Sequence, residues 1–464
     1  MKHPSIAAVA KIINARASRQ NGSIAAVCTD SRSVKTGDCF FAIRGENFDG
    51  HNFAAQALAK GAVCAVIDRP VTVSDVDKRR LLLVDDTINA LGRLAAHYRS
   101  ECAFKVIAIT GSVGKTTTRH IVYHVLSKHF RCRQSPKNFN NNIGLPLTLL
   151  AADPDDQMVV AEIGTNHPGE VAYLTKIARP DIAVITNVNP VHLEGLENLQ
   201  NIAEEKLSIA QGLLPNGTLI INADCPLLLR ICREKQIPFL SFGTSDDADI
   251  CASNITFSQS ASRFTIDGMQ VSVPLPGRGN LENALAAWAV CSRLNINIKE
   301  FATALKTLSH VPMRTEVLQI GSLTILNDCY NANPASMKNA LEILAGLDPD
   351  GKRRLVFVCG DMAELGAETE KLHAELGDLI AQTSVQLLLT VGKHAEIAAK
   401  TAKLSASRNL HAESFDDALA ACNCLQNYIK DSDIILVKGS RTAKLESVVE
   451  KLKEIFSQDA SSMV

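Results

Sequence analysis

The chain has 464 residues, more than one hydrophobic core usually organises, so we expect about three domains. A formal net charge of −1 with mixed signs argues against a general nucleic-acid-binding surface and favours small-molecule partners. Thirteen cysteines without a Cys-x-x-Cys pair predict neither a disulfide framework nor a zinc site, and the lone thiols are typical of the cytoplasm. No apolar run approaches the ~18 residues of a membrane span.

The first hundred residues predict a small α/β domain. Short apolar runs alternate with turn signals, and two segments, residues 52–60 and 90–99, have helical patterns. The apolar runs are residues 24–28, 39–43, 62–67 and 81–84. We therefore place an N-terminal domain at residues 1–100.

Residues 101–311 alternate near-continuous apolar strands with helices, as in a parallel sheet buried on both faces. The predicted strands are residues 106–110, 158–163, 181–188 and 217–222. The predicted helices are residues 116–129, 169–177, 202–214 and 281–294. The polar interval 249–273 predicts an antiparallel edge or a β-rich insertion.

A second α/β pattern begins after His310-Val311-Pro312, and we place a C-terminal domain at residues 312–464. Its predicted strands are residues 323–327, 355–359, 387–391 and 434–437, and its predicted helices are residues 335–344, 368–381 and 395–403. Such a module is often Rossmann-like. The predicted fold class is thus α/β in three domains: a small N-terminal domain, a central parallel-sheet domain and a C-terminal Rossmann-like domain.

The most informative motif is Thr110-Gly111-Ser112-Val113-Gly114-Lys115-Thr116-Thr117, which lies between a predicted strand and a predicted helix. Its glycines let backbone N–H groups approach phosphates, Lys115 can reach the outer phosphates, and the Thr116 hydroxyl suits Mg²⁺. The full phosphate-loop pattern has glycine where this chain has Ile109, so a plain glycine turn would also account for the segment. The strand–helix context favours nucleotide triphosphate binding.

Further polar residues follow the central strands, at the edge where open α/β sheets bind ligands. They are the asparagine cluster at residues 138–142, Glu162, His192 and, on a following helix, Lys206. Each of these features also has a simpler interpretation when it is taken singly. The asparagine cluster could be a plain loop, and Glu162 could be a solvated acid. His192 could be a structural histidine, and Lys206 could be a surface lysine. Amides can also donate to phosphates, and a carboxylate can hold Mg²⁺.

The order and spacing of these motifs resemble the Mur ligases, the ATP-dependent amino-acid ligases of peptidoglycan precursor assembly. The similarity runs from Thr29-Asp30-Ser31-Arg32 to Lys438-Gly439-Ser440-Arg441. It includes residues 110–118, 140–150, 161–170, 279–287 and 327–334 and the His192-to-Lys206 spacing.

Residues 166–170, 330–336, 360–366 and 437–441 resemble the MurF type, which adds D-alanyl-D-alanine to a UDP-N-acetylmuramoyl tripeptide. The related ligase that adds the third residue shares the Thr-Asp-Ser-Arg segment, but its last domain typically carries Asp-Asn-Pro-Arg, which this sequence lacks. A folylpolyglutamate synthetase-like ligase would share the nucleotide domain, and a nucleotide-dependent binding protein would bind ATP without forming an amide.

The resemblance implies a nucleotide site and two Mg²⁺ positions. The implied ATP-binding residues are Gly111, Ser112, Val113, Gly114, Lys115, Thr116, Thr117, Asn142, Asn280, Asn283, Arg314 and Asp328. The implied metal ligands are Thr116 and Glu162 for one ion, and His192 and a carbamylated Lys206 for the other. Lys115, Lys206 and His192 are the implied catalytic residues.

The resemblance also implies two further substrates, UDP-N-acetylmuramoyl-tripeptide and D-alanyl-D-alanine, joined through an acyl phosphate. Ser31 and Arg32 match the UDP-binding turn, and Asn166 and His167 are expected beside the muramoyl peptide. The residues expected beside the dipeptide are Tyr330, Asn331, Asn333, Lys438, Ser440 and Arg441. We expect a cytoplasmic monomer that acts in cell-wall biogenesis, and therefore in cell shape and division.

Overall fold

Three α/β lobes follow one another in the computed structural model, which describes residues 4–17, 21–45, 48–407 and 410–457. The first lobe has a five-stranded sheet of order β1-β5-β4-β3-β2, in which only the β1–β5 pair is antiparallel. Its strands are β1 (Arg16–Ala17), β2 (Val27–Cys28), β3 (Cys39–Phe41), β4 (Cys64–Ile67) and β5 (Leu81–Leu83). Its helices are α1 (Ile6–Ile12), α2 (Ala54–Ala59), α3 (Asp75–Lys78) and α4 (Thr87–Glu101).

The central lobe has a parallel seven-stranded sheet of order β12-β11-β10-β9-β6-β8-β7. Its strands are β6 (Lys105–Thr110), β7 (Cys132–Gln134), β8 (Met158–Glu162), β9 (Ile182–Ile185), β10 (Thr218–Asn222), β11 (Leu240–Gly243) and β12 (Ile250–Cys251). Its helices are α5 (Lys115–Leu126), α6 (Gly144–Leu150), α7 (Glu170–Ala178), α8 (Leu193–Leu196), α9 (Leu199–Leu207), α10 (Pro226–Glu234), α11 (Arg278–Arg293) and α12 (Ile298–Leu305).

Both faces of the central sheet are buried, which explains the continuous apolar runs in its strands. Along β6, Val106 and Ala108 pack on one face, while Ile107 and Ile109 pack on the other, against α5 and α11. The first of these cores continues into the N-terminal lobe, where it includes Phe41. The N-terminal and central lobes therefore share apolar packing.

A small antiparallel sheet follows, formed by β13 (Ser253–Phe257), β14 (Ser262–Ile266) and β15 (Met269–Val273). The prediction for residues 249–273 left an edge and an insertion open. The β-rich insertion is confirmed, because β13, β14 and β15 form a separate antiparallel sheet. The antiparallel edge is wrong, because β12 extends the central sheet in parallel with β11.

The C-terminal lobe has a six-stranded sheet of order β16-β17-β21-β18-β19-β20, parallel except for the β16–β17 pair. Its strands are β16 (Glu316–Ile320), β17 (Leu323–Asn327), β18 (Leu355–Gly360), β19 (Val385–Val391), β20 (His411–Phe415) and β21 (Ile434–Lys438). Its helices are α13 (Pro334–Gly346), α14 (Thr369–Ala381), α15 (Ala395–Ser405), α16 (Ala418–Tyr428) and α17 (Glu446–Ser457). The predicted three-domain α/β architecture is confirmed.

Some element predictions were wrong in detail. The helix predicted at residues 202–214 ends at Leu207 and continues as a 3₁₀ turn, Ser208–Gly212. Edge strands such as β7 and β16 were missed because most of their side chains are only partly buried and they lack a continuous apolar run. All thirteen cysteines are free thiols. Within the described ranges, no helix combines the length and apolar character needed to span a bilayer.

Candidate active site

The phosphate loop of residues 111–114 connects β6 to α5 and requires both of its glycines. Gly111 and Gly114 have φ of +145° and +86°. A Cβ on Gly111 would lie 1.9 Å from Thr186 Oγ1, and one on Gly114 would lie 2.1 Å from Asn283 Oδ1. Neither position tolerates a side chain, so the backbone of the loop and the N-terminus of α5 stay open to an anion.

Polar residues after β9 hold the loop from one side, and sequence analysis missed them. Asn187 Oδ1 accepts a hydrogen bond from Val113 N at 2.9 Å, and Thr186 Oγ1 donates to Val113 O at 2.6 Å. Ser112 Oγ donates to Asn189 O at 3.0 Å. The strand predicted at residues 181–188 included Thr186 and Asn187, whereas β9 ends at Ile185, so both residues follow the strand at the edge where open α/β sheets bind ligands.

Lys115 is the first residue of α5 and reaches back over the loop. Its Nζ donates to Gly111 O at 2.8 Å. Burial lowers the pKa of Lys115, and the nearby Glu162 charge opposes that change. Within the described part of the chain, Lys115 forms no ion pair with a carboxylate, so its charge remains available to an anionic ligand.

Glu162 ends β8 and is 2% exposed, so the interpretation as a solvated acid is wrong. Its Oε2 accepts from Thr116 Oγ1 at 2.9 Å and from Arg119 Nη1 at 3.4 Å. Its Oε1 accepts from Asn140 Nδ2 at 3.0 Å. A hydroxyl and a carboxylate thus meet beside the phosphate loop, which is a donor set that fits a hard divalent cation completed by phosphate oxygens and water.

The asparagine cluster serves both as a turn and as part of the site. Asn141 Oδ1 accepts from Ile143 N at 3.2 Å and Gly144 N at 2.9 Å, at the start of α6. Asn140 contacts Glu162, and Asn142 lines the cavity described below. The two interpretations of this cluster are therefore compatible.

Lys206 lies near the end of α9 and is 1% exposed, so it is not a surface lysine. Burial lowers its pKa well below the usual lysine value, and the Lys115 charge adds to the effect. In the described ranges, its ammonium has no hydrogen bond or ion pair. A buried amine with a lowered pKa is neutral more often than an exposed one, and neutral amines are nucleophilic.

Glu205, the neighbour of Lys206, organises the loop between β8 and α7. Its carboxylate accepts from Gly169 N at 2.7 Å, from Val171 N at 2.8 Å and from Thr165 Oγ1 at 3.2 Å. Glu170 Oε2 accepts from the backbone N–H groups of Asn166 and His167, at 2.7 and 3.1 Å. The structure thus places Asn166 on the cavity wall, while His167 is not among the described lining residues.

His192 precedes α8 and lines the same cavity, with φ +53°. Its Nδ1 forms a hydrogen bond with Glu364 Oε2 of the C-terminal lobe. This hydrogen bond, opposed by burial and helped by the Lys115 charge, lowers the pKa of Glu364. Sequence analysis missed Glu364 as a partner, although residues 360–366 contributed to the resemblance.

Asn280 and Asn283 lie on the first turns of α11, next to α5. Asn280 Nδ2 donates to Pro276 O at 2.7 Å and to Thr315 Oγ1 at 3.0 Å. Thr118 Oγ1 donates to Asn283 Oδ1 at 3.1 Å. Both side chains line the cavity, and the hydrogen bond from Asn280 to Thr315 connects the central lobe with the start of the C-terminal lobe.

A buried polar network supports the C-terminal wall. Asp328 Oδ1 accepts from Thr315 N at 3.0 Å, and Asp328 Oδ2 accepts from Lys438 Nζ at 2.6 Å. Lys438 Nζ also donates to Asn331 O at 2.9 Å. The Lys438 ammonium is therefore largely satisfied within the protein.

Other predicted residues on this wall have defined contacts. The Arg314 guanidinium lies 4.1 Å from the centre of the Tyr330 ring. Asn333 Oδ1 accepts from Ser336 N at 2.9 Å and caps α13. Ser440 and Thr442 are hydroxyl partners at 2.9 Å, and Arg441 Nη1 lies 3.1 Å from Glu446 Oε1.

A cavity of about 1090 Å³ brings most of these elements together, but Lys206 is not among its described lining residues. It is lined by residues 112–117, the asparagine cluster, Glu162, His192 and the C-terminal wall. Ser31 and Arg32 are not among its described lining residues. Ser31 Oγ instead donates to Gln56 Oε1 at 3.2 Å, and Arg32 pairs with Asp30 at 2.8 Å. Lys60 Nζ donates to Ser31 O at 3.0 Å, so α2 supports this turn.

Comparisons with known proteins cover almost the whole described chain. Three family models match: "Mur ligase family, catalytic domain" at residues 23–99, "Mur ligase middle domain" at 109–291 and "Mur ligase, glutamate ligase domain" at 313–441. The UDP-N-acetylmuramoyl-tripeptide--D-alanyl-D-alanine ligase of Bacillus subtilis (strain 168) is 37% identical over 435 residues, which are 92% of this chain and 93% of that protein. The chain belongs to the Mur ligase family.

Solved structures extend the similarity of this Mur ligase. A crystal structure of MurF from Acinetobacter baumannii superposes with a TM-score of 0.88 at 30% identity and covers 98% of this chain and 99% of that one. The MurF ligase from Thermotoga maritima in complex with ADP has a TM-score of 0.81 at 28% identity, with coverage of 94% and 98%.

Proposed function

We propose that this Mur ligase uses ATP to join D-alanyl-D-alanine to UDP-N-acetylmuramoyl-tripeptide, giving the UDP-muramoyl-pentapeptide of peptidoglycan synthesis. The observation that carries the proposal is a cavity shared by two lobes. The phosphate loop of the central lobe lines it together with Tyr330 and Ser440 of the C-terminal lobe. The similarity to D-alanyl-D-alanine-adding relatives over almost their full length favours this acceptor pair over those of other Mur-type ligases.

A carboxylate is a poor electrophile, so the tripeptide's terminal carboxylate must be activated before an amine can attack it. In the proposed reaction, a carboxylate oxygen attacks the γ-phosphorus of ATP, the bond to the β,γ-bridging oxygen breaks and ADP leaves. The dipeptide amine then attacks the acyl carbon, loses a proton and expels inorganic phosphate. The first step brings two anions together, so charge neutralisation and positioning dominate catalysis.

The residues of the phosphate loop perform that neutralisation. Backbone N–H groups of residues 111–117 surround the phosphates, and the Lys115 ammonium faces the outer ones. Asn142 and Arg314 line the same cavity, and Asn142 is proposed to lie near the γ-phosphate and Arg314 near the nucleotide. Asn280, Asn283 and Asp328 are proposed to contact the rest of the nucleotide.

Magnesium is the proposed cofactor, and two sets of donors are proposed for it. Thr116 and Glu162 would hold one ion, and His192 together with a carbamylated Lys206 would hold a second. Bound Mg²⁺ supplies positive charge that screens the phosphate oxygens. The burial and lowered pKa of Lys206 support its carbamylation, because the reaction with CO₂ requires a neutral amine and converts it to a carboxylate.

The remaining substrate roles are distributed over the proposed domains. Residues 1–100 would bind UDP through Ser31 and Arg32, residues 101–311 would bind ATP, and residues 312–464 would bind the dipeptide. Asn166 and His167 would contact the muramoyl peptide. The dipeptide set is Tyr330, Asn331, Asn333, Lys438, Ser440 and Arg441, within which Asn333 and Lys438 act by holding the wall in shape. We also propose that the enzyme is cytoplasmic and monomeric.

The test is product analysis by mass spectrometry. The protein is incubated with ATP, Mg²⁺, UDP-N-acetylmuramoyl-tripeptide and D-alanyl-D-alanine, and the pentapeptide product is expected only when all are present. Parallel incubations offer UDP-muramoyl-dipeptide with lysine or diaminopimelate, and a folate with glutamate. A product in one of these alone would identify another ligase, and no amide in any of them would indicate a nucleotide-binding protein.

A second measurement tests the intermediate. The tripeptide's terminal carboxylate is labelled with ¹⁸O, and one labelled oxygen is expected in the phosphate released. Unlabelled phosphate from a reaction that forms product would exclude the acyl phosphate.

A further inference from the structure

The loop of residues 361–366, which follows β18, docks the C-terminal lobe against the start of α8. Glu364 Oε2 hydrogen-bonds His192 Nδ1, and Glu364 O accepts from Glu194 N at 3.4 Å. Gly366, with φ +56°, lies so close that a Cβ would be 3.1 Å from Glu194 Cα. This contact joins two lobes on the wall of the cavity, because both His192 and Glu364 line it.

The backbone on both sides of the contact has an unusual conformation. His192 and Glu364 have φ of +53° and +62°, a left-handed conformation that is uncommon for residues other than glycine. The loop is held from behind by His373, whose Nε2 accepts from Met362 N at 3.0 Å. Met362 and Leu365 are each 1% exposed. The C-terminal lobe therefore presents the Glu364 carboxylate on a rigid support.

The hydrogen bond determines which atom of His192 remains available. Because a carboxylate only accepts hydrogen bonds, Nδ1 donates to Glu364, and in the neutral ring this leaves the lone pair of Nε2 free. Metal-binding histidines are commonly oriented in this way by a carboxylate on the other nitrogen. The carboxylate here comes from a different lobe, 172 residues further along the chain.

We infer that Glu364 is a positioning residue that fixes the His192 imidazole, with Nε2 free, only while the C-terminal lobe is docked on the central lobe. The inference rests on the proposed function, in which His192 helps to hold a cation. As a result, the proposed cation site at His192 is complete only when the C-terminal lobe, which carries Tyr330, has docked. Phosphoryl transfer is then favoured when the dipeptide wall is already in place.

The experiment compares Glu364→Ala and Glu364→Gln with the wild type, and uses Glu370→Gln as the matched control. Glu370 lies in the first turn of α14 and is exposed. We expect Glu364→Ala to lower kcat about tenfold or more, the usual weight of a hydrogen bond to a charged group, with little change in the KM for UDP-tripeptide. Glu364→Gln should recover part of kcat, because its amide oxygen still accepts from Nδ1–H. The control should behave like the wild type.

Two further measurements separate positioning from a general structural role. In a His192→Ala background, Glu364→Ala should lower kcat no further, whereas additive effects would overturn the inference. Small-angle X-ray scattering with Mg²⁺, a non-hydrolysable ATP analogue and UDP-tripeptide should show a larger radius of gyration for Glu364→Ala than for the wild type. An unchanged radius together with an unchanged kcat would also overturn it.

The outcomes distinguish this inference from the proposed function. Failure of the wild type to form pentapeptide refutes the proposed function, while the scattering comparison still reports on the Glu364 contact. If Glu364→Ala does not fold, as judged by thermal unfolding, Glu364→Gln supports the same comparisons because it retains the side-chain shape and loses only the charge.

Discussion

Replacing Lys438 with methionine tests the polar network behind the dipeptide wall. Lys438 is 1% exposed, and its Nζ donates to Asp328 Oδ2 at 2.6 Å and to Asn331 O at 2.9 Å. Methionine fills a similar volume without a charge, so Lys438→Met leaves the Asp328 carboxylate buried without its cation. Removing one partner of a buried ion pair costs about 3–5 kcal/mol.

For Lys438→Met we expect a loss of unfolding free energy near the lower end of that range. Asp328 Oδ1 keeps its hydrogen bond from Thr315 N at 3.0 Å, which offsets part of the loss. A loss of about 3 kcal/mol corresponds to a fall of roughly 10 °C in the unfolding temperature of a lobe of this size. The double variant Lys438→Met/Asp328→Asn also removes the unpaired carboxylate charge, so it should regain most of the lost stability.

Differential scanning calorimetry provides the measurement, and Lys400→Met provides the control. Lys400 pairs with Glu396 at 2.8 Å on the surface, where its side chain is 68% exposed, so its loss should change stability by less than about 1 kcal/mol. If Lys438→Met is no less stable than Lys400→Met, or if the double variant is less stable than the single one, the reasoning about the network is wrong.

Three further predictions concern the candidate active site. Lys115→Ala should lower kcat by about 10²–10³-fold in a dipeptide-dependent phosphate-release assay, with an almost unchanged unfolding temperature; near-normal turnover would contradict the role of its charge. Lys206→Ala should lose at least about 100-fold in kcat and regain part of it with added acetate or formate, because a free carboxylate replaces the carbamate; no defect and no rescue would refute carbamylation. Burial, with the Asp224 charge, raises the pKa of Glu282 to about 7. The folded state therefore binds more protons than the unfolded state between pH ~4.5 and ~7, and the free energy of unfolding falls across that range by up to about 3 kcal/mol. Glu282→Gln should remove this fall in urea titrations at pH 5 and pH 8, and an equal pH dependence in both proteins would contradict it.

Much of the fold follows from sequence because buried parallel strands leave a strong local signal. The continuous apolar runs in β6, β8 and β9 reflect burial on both faces of the central sheet. Strands β7 and β16 carry no such signal, because most of their side chains are only partly buried. Their position depends on neighbouring strands that sequence periodicity does not describe.

For the candidate site, sequence predicted which residues take part but not their partners or their burial. Motifs identify residue types, but the partner of each side chain is often distant in sequence: Asn187 reaches Val113 across 74 residues. Burial of Lys206 likewise depends on packing around α9, which a lone lysine in a helical segment does not indicate. For Lys438, the motif selected the residue, but only the structure shows that its ammonium is already bonded to Asp328 and Asn331.

The composition of the cavity wall determines how a covalent inhibitor could attach. Among the lining residues that the structure describes there is no cysteine, and the buried thiols elsewhere, such as Cys329 with its pKa raised to about 12, are poor nucleophiles at neutral pH. Lys115 does line the cavity, and burial lowers its pKa, so a larger fraction of its amine is unprotonated. Electrophiles that acylate amines therefore suit this enzyme better than those that alkylate thiols.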